Sequence, residues 1–421
     1  MDGDRRWVVL GALVATASVA AYLGVLHWHS RVLWTMYDLE VYRGAGQAAG
    51  PSVDIYELRL GELALPFTYT PFAALVFTPL RLLDWTAART LATAANLAAV
   101  FLAAVLSLRL ARCPTRAARR GLAGPALIVG AVCLWTEPVQ QTLRFGQVNL
   151  LLLVAVLLDL SLPDSSRGKG ALIGLATAVK LTPAVFVAYL VLTGRRTAAL
   201  RAVAVVVATI VVSAVLLPSS SWSYWTNEVY GAGRIGNPDY LTNQSIKGAL
   251  TRAFGEGPPT TALWLATSIV VLVAGLRWAM RLRISHSELA GALAAAVTAL
   301  LVSPISWSHH WVWVIAAVAL GTNEIARHSE RRIALLGSAA VVGLFASWWF
   351  ERTTDPALPL GVLWLAPSGN HAERHWTLLQ ALTGNAYVLT AGAVIALAAV
   401  RQGRVLVRSV AMAAPAHHGQ V

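Results

Sequence analysis

Apolar runs close to the length of a bilayer core recur from one end of the chain to the other, separated by short polar stretches rich in arginine. About 20 apolar residues carry a helix through the hydrocarbon layer. The pattern predicts such helices over residues 7–27, 86–108, 121–136, 148–162, 198–217, 260–280, 287–304, 333–350 and 377–400, with a further crossing that ends near Arg327. The run 7–27 is too long for a signal-peptide core and no small-residue cleavage site follows it, so it reads as a retained span. The run 72–83 is too short to cross; it reads as a juxtamembrane helix at the interface, with Arg81 and Trp85 at headgroup level.

One stretch breaks the pattern. Basic loops bound residues 171–193 on both sides, so a single crossing would leave one of those loops outside. Lys180 and Pro183 sit near its middle. Two short helices are expected, with a tip at residues 180–183 facing the outer half, because irregular backbone at membrane depth is tolerated where it lines a protein cavity. Counting this hairpin as two helices gives an all-α polytopic membrane protein with about 12 transmembrane helices and both ends inside.

Composition agrees with that reading. The 421 residues are 57% hydrophobic and 13% charged, with mean hydropathy +0.61. No internal repeat and no soluble stretch long enough to stand alone is visible, so residues 1–421 read as one domain. A net charge of +13 is the kind that attracts nucleic acid, but its placement argues otherwise. The arginines cluster between spans, the clearest group being Arg109, Arg112, Arg116, Arg119 and Arg120, as the positive-inside asymmetry requires. They set topology and contact anionic membrane lipid, and no nucleic-acid partner is expected. Outer segments then fall at 28–85, 218–259 and 351–376, with a basic inner tail at 401–421. Most of the acids lie in the outer segments, so any chemistry is expected on the outer face. Cys113 and Cys133 give no disulfide framework. The preference for arginine over lysine, with abundant alanine, points to a GC-rich bacterial genome.

Candidate chemistry starts at residues 36–43. Asp38 and Glu40 are the first carboxylates after the first span, flanked by Tyr37, Tyr42 and Arg43. An aspartate there can serve as a base on a substrate held at the bilayer surface; the competing reading is an ordinary acidic loop residue. Ionisable groups within apolar runs are costly and therefore suspect. Lys180 could hold the phosphate of a lipid-linked donor, or could simply snorkel to the headgroups. Arg144, in a short polar turn expected at 137–149, is a second phosphate candidate. Adjacent His309 and His310 point to different faces, and no cysteine or carboxylate stands at ligand spacing, so a hydrogen-bonding or proton-handling role is favoured over a metal. Trp307, Trp311 and Trp313 fit an interfacial aromatic belt, although Trp307 also suits a sugar subsite. Tyr42, Arg43, Asn149, Asn243, Gln244 and Lys247 are the remaining substrate-binding candidates.

Several signatures are missing. There is no P-loop, no G-x-S-x-G elbow and no H-E-x-x-H, which leaves ATP-driven transport and metalloprotease chemistry unsupported. A glycosidase would need two carboxylates. Glycosyl transfer from a phosphate donor needs only one base, because phosphate leaves without the help of an acid.

Six ordered elements carry a resemblance: Asp38-Leu-Glu-Val-Tyr42, Leu65-Pro-Phe-Thr-Tyr-Thr-Pro71, Phe145-Gly-Gln-Val-Asn149, Val179-Lys-Leu-Thr-Pro183, Asn243-Gln-Ser245, and Ser303-Pro-Ile-Ser-Trp-Ser-His-His-Trp311. Together they resemble the actinobacterial polyprenol-phosphate-mannose-dependent alpha-1,2-mannosyltransferases of glycosyltransferase family 87, with the GT-C membrane fold. Thr70 stands where the family tolerates proline. The resemblance implies an inverting enzyme of the plasma membrane with its catalytic aspartate at Asp38 and a histidine contribution from His309 or His310. It implies polyprenyl-phosphate mannose as donor and a phosphatidylinositol mannoside, lipomannan or lipoarabinomannan as acceptor, without metal, nucleotide or other cofactor. The polyprenyl chain is expected in a groove between the spans and the helix at 72–83. An arabinose donor is the alternative within the class. A lipid or sugar transporter is the alternative outside it, disfavoured by the lack of repeats and by polar motifs crowding one face.

Overall fold

The computed structural model describes residues 2–111, 121–285, 287–327, 331–352 and 355–413. The arginines at 112–120, Cys113 and the end of the basic tail lie outside the described residues.

Helix α1 (Asp2–Trp28) is the first long apolar segment. A single turn, α2 (Ser30–Leu33), leads to α3 (Tyr37–Ala48), whose first turn carries Asp38 and Glu40. Acids are favoured there by the partial positive charge of the helix start. Helix α4 (Pro71–Phe77) begins where Thr70 accepts a hydrogen bond from Ala73 N and Pro71 takes the first helical position, a start that needs no other cap. It continues as a 3₁₀ turn over Thr78–Leu82, in agreement with a short element at 72–83. Helix α5 (Trp85–Ala111) follows, then the 11-residue α6 (Ala123–Cys133).

At 137–149 the structure replaces the expected polar turn with helix α7 (Glu137–Phe145), in which residues 137–143 are all buried. It bends by 116° into α8 (Asn149–Ser161). The turn-like composition is that of a buried polar layer, where each polar group needs an internal partner. Gln140 Nε2 donates to Leu134 O at 2.6 Å, and the Thr142 hydroxyl donates to Pro138 O at 2.8 Å.

The interrupted hairpin forms. Helix α9 (Ala171–Val179) stops at Lys180, which is extended; a 3₁₀ turn at Thr182–Ala184 and helix α10 (Val185–Leu192) follow. Its two ends come together at Asp164, which contacts Lys169 at 3.1 Å and Arg195 at 4.0 Å, with Arg283 at 3.5 Å. The chain therefore doubles back on itself between these two ends. Buried Asp159 fixes the base by accepting from Gly170, Leu172 and Ile173 N–H groups at the start of α9.

The remaining helices are α11 (Arg196–Leu216), α12 (Pro218–Thr226), α13 (Ile246–Phe254), α14 (Pro258–Ser285), α15 (Glu288–Val302), α16 (Val314–Arg327) and α17 (Arg331–Phe345). An antiparallel pair, β1 (Trp348–Arg352) and β2 (Asp355–Leu360), qualifies the all-α expectation. Helices α18 (Leu378–Gly384) and α19 (Ala386–Ala413) close the described chain.

Among the described residues, α1, α5, α11 and α14 are long and apolar enough to cross a membrane, or six segments if the bent pairs α7–α8 and α18–α19 each count as one. The runs expected to span at 121–136, 148–162, 287–304 and 333–350 form shorter helices of 11 to 15 residues. One large core of Ala, Leu and Val joins α5, α6, α8, α15 and α16, while a second, aromatic core gathers Tyr42, Phe67, Tyr69, Phe77 and Tyr224 around α3 and α4.

Candidate active site

A cavity of about 370 Å³ opens between the aromatic core, the tip of the α9–α10 hairpin and the segment 303–310. Small-molecule sites commonly measure about 300–1,000 Å³. Asp38, Tyr42, Lys180, Trp307, His309 and His310 all line it, so six of the twelve residues singled out from the sequence share one space.

Asp38 is placed by the docking of α3 onto the α7–α8 bend. Met36, fully buried and in the left-handed region (φ 54°), donates its N–H to Arg144 O at 2.9 Å. Gly146, at the bend (φ 68°), lets the two elements meet: a Cβ there would lie 2.7 Å from Met36 Sδ and Leu39 Cβ. Next to it, Gln147 Oε1 accepts from both Tyr42 and Tyr69 at 2.9 Å. With its oxygen engaged, Gln147 offers its NH₂ to the Asp38 carboxylate. Burial raises the Asp38 pKa from 3.8 to about 6, while the Gln147 hydrogen bond and the charge of Lys180 pull it down.

Lys180 ends α9 with its ammonium in the cavity. Its Nζ lies 2.9 Å from Asn149 Oδ1, 3.4 Å from Tyr69 Oη and 3.0 Å from His310 Nε2. The Thr70 hydroxyl, donating to Ala178 O, ties the hairpin tip to the start of α4. An ammonium has no lone pair, so His310 Nε2 accepts and the ring carries its proton on Nδ1. That Nδ1–H, together with His309 Nε2, is buried without a hydrogen-bond partner among the described residues. The histidines ride on a 3₁₀ turn, Ser308–Trp311. Asn149 and Thr142 hold the His309 carbonyl at 3.1 and 3.2 Å, and Ser308 donates to buried Glu137 at 2.7 Å. Asn149 thus links the lysine to the histidine turn.

The other candidates do not line the cavity. Arg144 contributes its carbonyl, and its guanidinium lies over the Phe145 ring. Arg43 donates to Leu83 O at 2.9 Å. Asn243 and Gln244 are fully buried and bind backbone: Asn243 accepts from Ser306 N, and Gln244 Nε2 donates to Leu241 O and Gly384 O. They hold the strand-like segment before Trp307 in place. Lys247 stacks on Trp264, 4.9 Å from the ring centre. Sequence reasoning passed over Tyr69, Gln147, Glu228 and Arg234, all cavity-lining. Tyr69 and Gln147 sat inside quoted motifs, where neutral polar side chains carried no charge signal.

The profile of glycosyltransferase family 87 matches residues 67–304. The chain is 38% identical over 291 residues to the polyprenol-phosphate-mannose-dependent alpha-(1-2)-phosphatidylinositol mannoside mannosyltransferase of Mycobacterium tuberculosis, covering 66% of this chain and 67% of that protein. It is 32% identical over 383 residues to the enzyme of the same description from Mycolicibacterium smegmatis, covering 85% and 82%. Against a polyprenol-phosphate-mannose-dependent alpha-(1-2)-phosphatidylinositol pentamannoside mannosyltransferase of M. tuberculosis it is 34% identical over 312 residues, covering 70% of each. No solved structure matches the chain.

Proposed function

The chain belongs to glycosyltransferase family 87, and on that premise we propose that it moves a mannosyl group from polyprenyl-phosphate mannose to a phosphatidylinositol mannoside in alpha-1,2 linkage. The observation that carries this reading is a single cavity in which Asp38 lies near the one ammonium, Lys180, with His310 against it. Among the described residues the Asp38 carboxylate is not ion-paired at contact distance, while the second lining carboxylate, Glu228, is paired with Arg234. Asp38 takes the proton of the acceptor hydroxyl as its oxygen bonds to the anomeric carbon. The bond from that carbon to the phosphate oxygen breaks and its electron pair leaves with the phosphate. Lys180 and the Nδ1–H of His310 stabilise that charge. Attack opposite the leaving group turns a β-linked mannosyl phosphate into an α-linked product.

The membrane placement belongs to the same proposal. Lys169, Arg195 and Arg283 gather at the hairpin base, at the other end of α9 and α10 from Lys180. The positive-inside bias assigns that base to the cytoplasm and the cavity to the outer face, with the shorter apolar helices completing about 12 crossings. The polyprenyl chain is assigned to the apolar surface beside α4, where Val76 and Leu82 are exposed.

Radiolabelled polyprenyl-phosphate mannose and polyprenyl-phosphate arabinose, each offered to purified protein with phosphatidylinositol mannosides, test the reading. Label should pass to the glycolipid from mannose alone. Transfer from the arabinose donor instead would keep the family and overturn the sugar.

A further inference from the structure

The cavity holds a second cation, and its setting differs from that of Lys180. Arg234 Nε lies 2.8 Å from a Glu228 carboxylate oxygen, and its Nη1 donates to Phe67 O at 2.7 Å. The hydrogen-bond partners of Lys180, by contrast, are neutral: an amide oxygen, a phenol and an imidazole. Each cation lies against a different ring of the aromatic core. Lys180 Nζ is 5.2 Å from the Tyr69 centroid, Arg234 Cζ is 5.3 Å from the Tyr56 centroid, and Phe67 packs against both rings at 6.0 and 5.9 Å. Trp307 belongs to the Arg234 side, because the backbone at Gly236 passes so close that a Cβ there would be 2.9 Å from its ring.

These settings select different ligands. Lys180 is near the Asp38 carboxylate but makes no contact-distance ion pair with it, so its ammonium stays open to an anion. The Glu228–Arg234 pair is close to neutral as a unit, so a phosphate gains little from it. It nevertheless presents carboxylate acceptors and guanidinium donors in fixed positions, which is what adjacent sugar hydroxyls require. Trp307 adds a flat apolar surface for the C–H face of a pyranose ring. A glycosyl transfer needs two sugar sites, and the Lys180 end is committed to the phosphate-bearing sugar.

We propose that Glu228, Arg234 and Trp307 form the acceptor subsite, which binds the uncharged mannosyl end of the acceptor through its hydroxyls. The assignment rests on the mannosyltransferase reading above for its choice of sugar, but its test does not depend on turnover. Equilibrium binding of radiolabelled octyl α-D-mannopyranoside, below its micellar concentration, is measured on the full-length protein and on Glu228→Gln and Arg234→Met. Each substitution should weaken binding at least tenfold. Where transfer is measured with the same acceptor, its KM should rise at least tenfold while the KM for polyprenyl-phosphate mannose moves less than twofold. Glu228→Gln keeps the shape of the side chain and the backbone bond from Arg234 Nε to Glu228 O, so it decides the matter if Arg234→Met does not fold.

Unchanged mannoside binding in Glu228→Gln would overturn the subsite. So would a rise in both KM values together. Tighter binding by Glu228→Gln of octyl mannoside 6-phosphate, with the neutral glycoside unaffected, would reassign the pair to a phosphate. Intact mannoside binding by native protein that performs no transfer would sink the transferase reading and leave the subsite standing.

Discussion

Lys180 Nζ and His310 Nε2 lie 3.0 Å apart although 130 residues separate them in the chain. The contact joins the tip of the interrupted hairpin to the turn after α15, and Asn149 bonds to both elements. A lysine that looked isolated in an apolar run is thereby part of a polar site assembled from three segments.

Removing that charge should cost catalysis more than stability. Lys180→Met is expected to lower kcat about 10²–10³-fold, the scale of losing one preorganised charge-stabilising donor. Lys180→Arg should recover only part of it, because a planar guanidinium cannot reproduce a point charge within contact of Asn149 and His310. Steady-state rates checked against thermal midpoints decide this. A fully active Lys180→Met would remove the lysine from the mechanism.

The Asp38 carboxylate predicts opposite trends in rate and stability. Catalysis needs its ionised form, so the rate should fall as pH drops through about 6 and level off above it. Its raised pKa means that the folded chain holds the proton more tightly than the unfolded chain does. The stability this group contributes is therefore fully present below pH 4 and lost as pH rises through about 6. Asp38→Asn should be inactive yet more stable at pH 7.5, by on the order of 2 kcal/mol. A lowered thermal midpoint for the variant would refute the burial argument.

Gln147 and Lys180 both hold the Asp38 pKa down. Gln147→Leu should therefore move the acid limb of the rate profile to higher pH, whereas a merely structural glutamine would lower the rate at every pH without moving the limb. Comparing profiles from pH 5 to 8 separates the two.

How much of this was legible depended on whether charge or shape carried the information. Lys180 announced itself by interrupting an apolar run, Asp38 by being the first carboxylate after the first span and the histidine pair by standing among tryptophans at a membrane boundary. The hairpin followed from basic loops on both sides of one run. Glu137 was misread because nine residues of mixed polarity look like a turn. Only the structure reveals Ser308 and Tyr387 filling both of its carboxylate oxygens. Arg144, Asn243 and Gln244 have side-chain chemistry that suits ligands; in the structure the Arg144 guanidinium lies over the Phe145 ring and the two amides bind backbone. The Glu228–Arg234 pair was invisible as a site, since two opposite charges six residues apart in a loop are ordinary.

Glu137 gives a stability prediction. Glu137→Ala strands the Ser308 and Tyr387 hydroxyls in a buried setting and opens a void, costing about 3 kcal/mol. Glu137→Gln should lose roughly half of that, since it keeps an acceptor for one hydroxyl. Denaturation in detergent followed by near-ultraviolet circular dichroism would show the order, and equal stability of all three proteins would mean the cluster contributes little.

The most direct test of the central claim is transfer by purified native protein and Asp38→Asn side by side, with radiolabelled polyprenyl-phosphate mannose and phosphatidylinositol mannosides. The prediction is a labelled glycolipid, cleavable by α-mannosidase, from the native protein and none from the variant of equal fold. A variant that transfers mannose at near-native rate, or a labelled product that resists α-mannosidase, would contradict it.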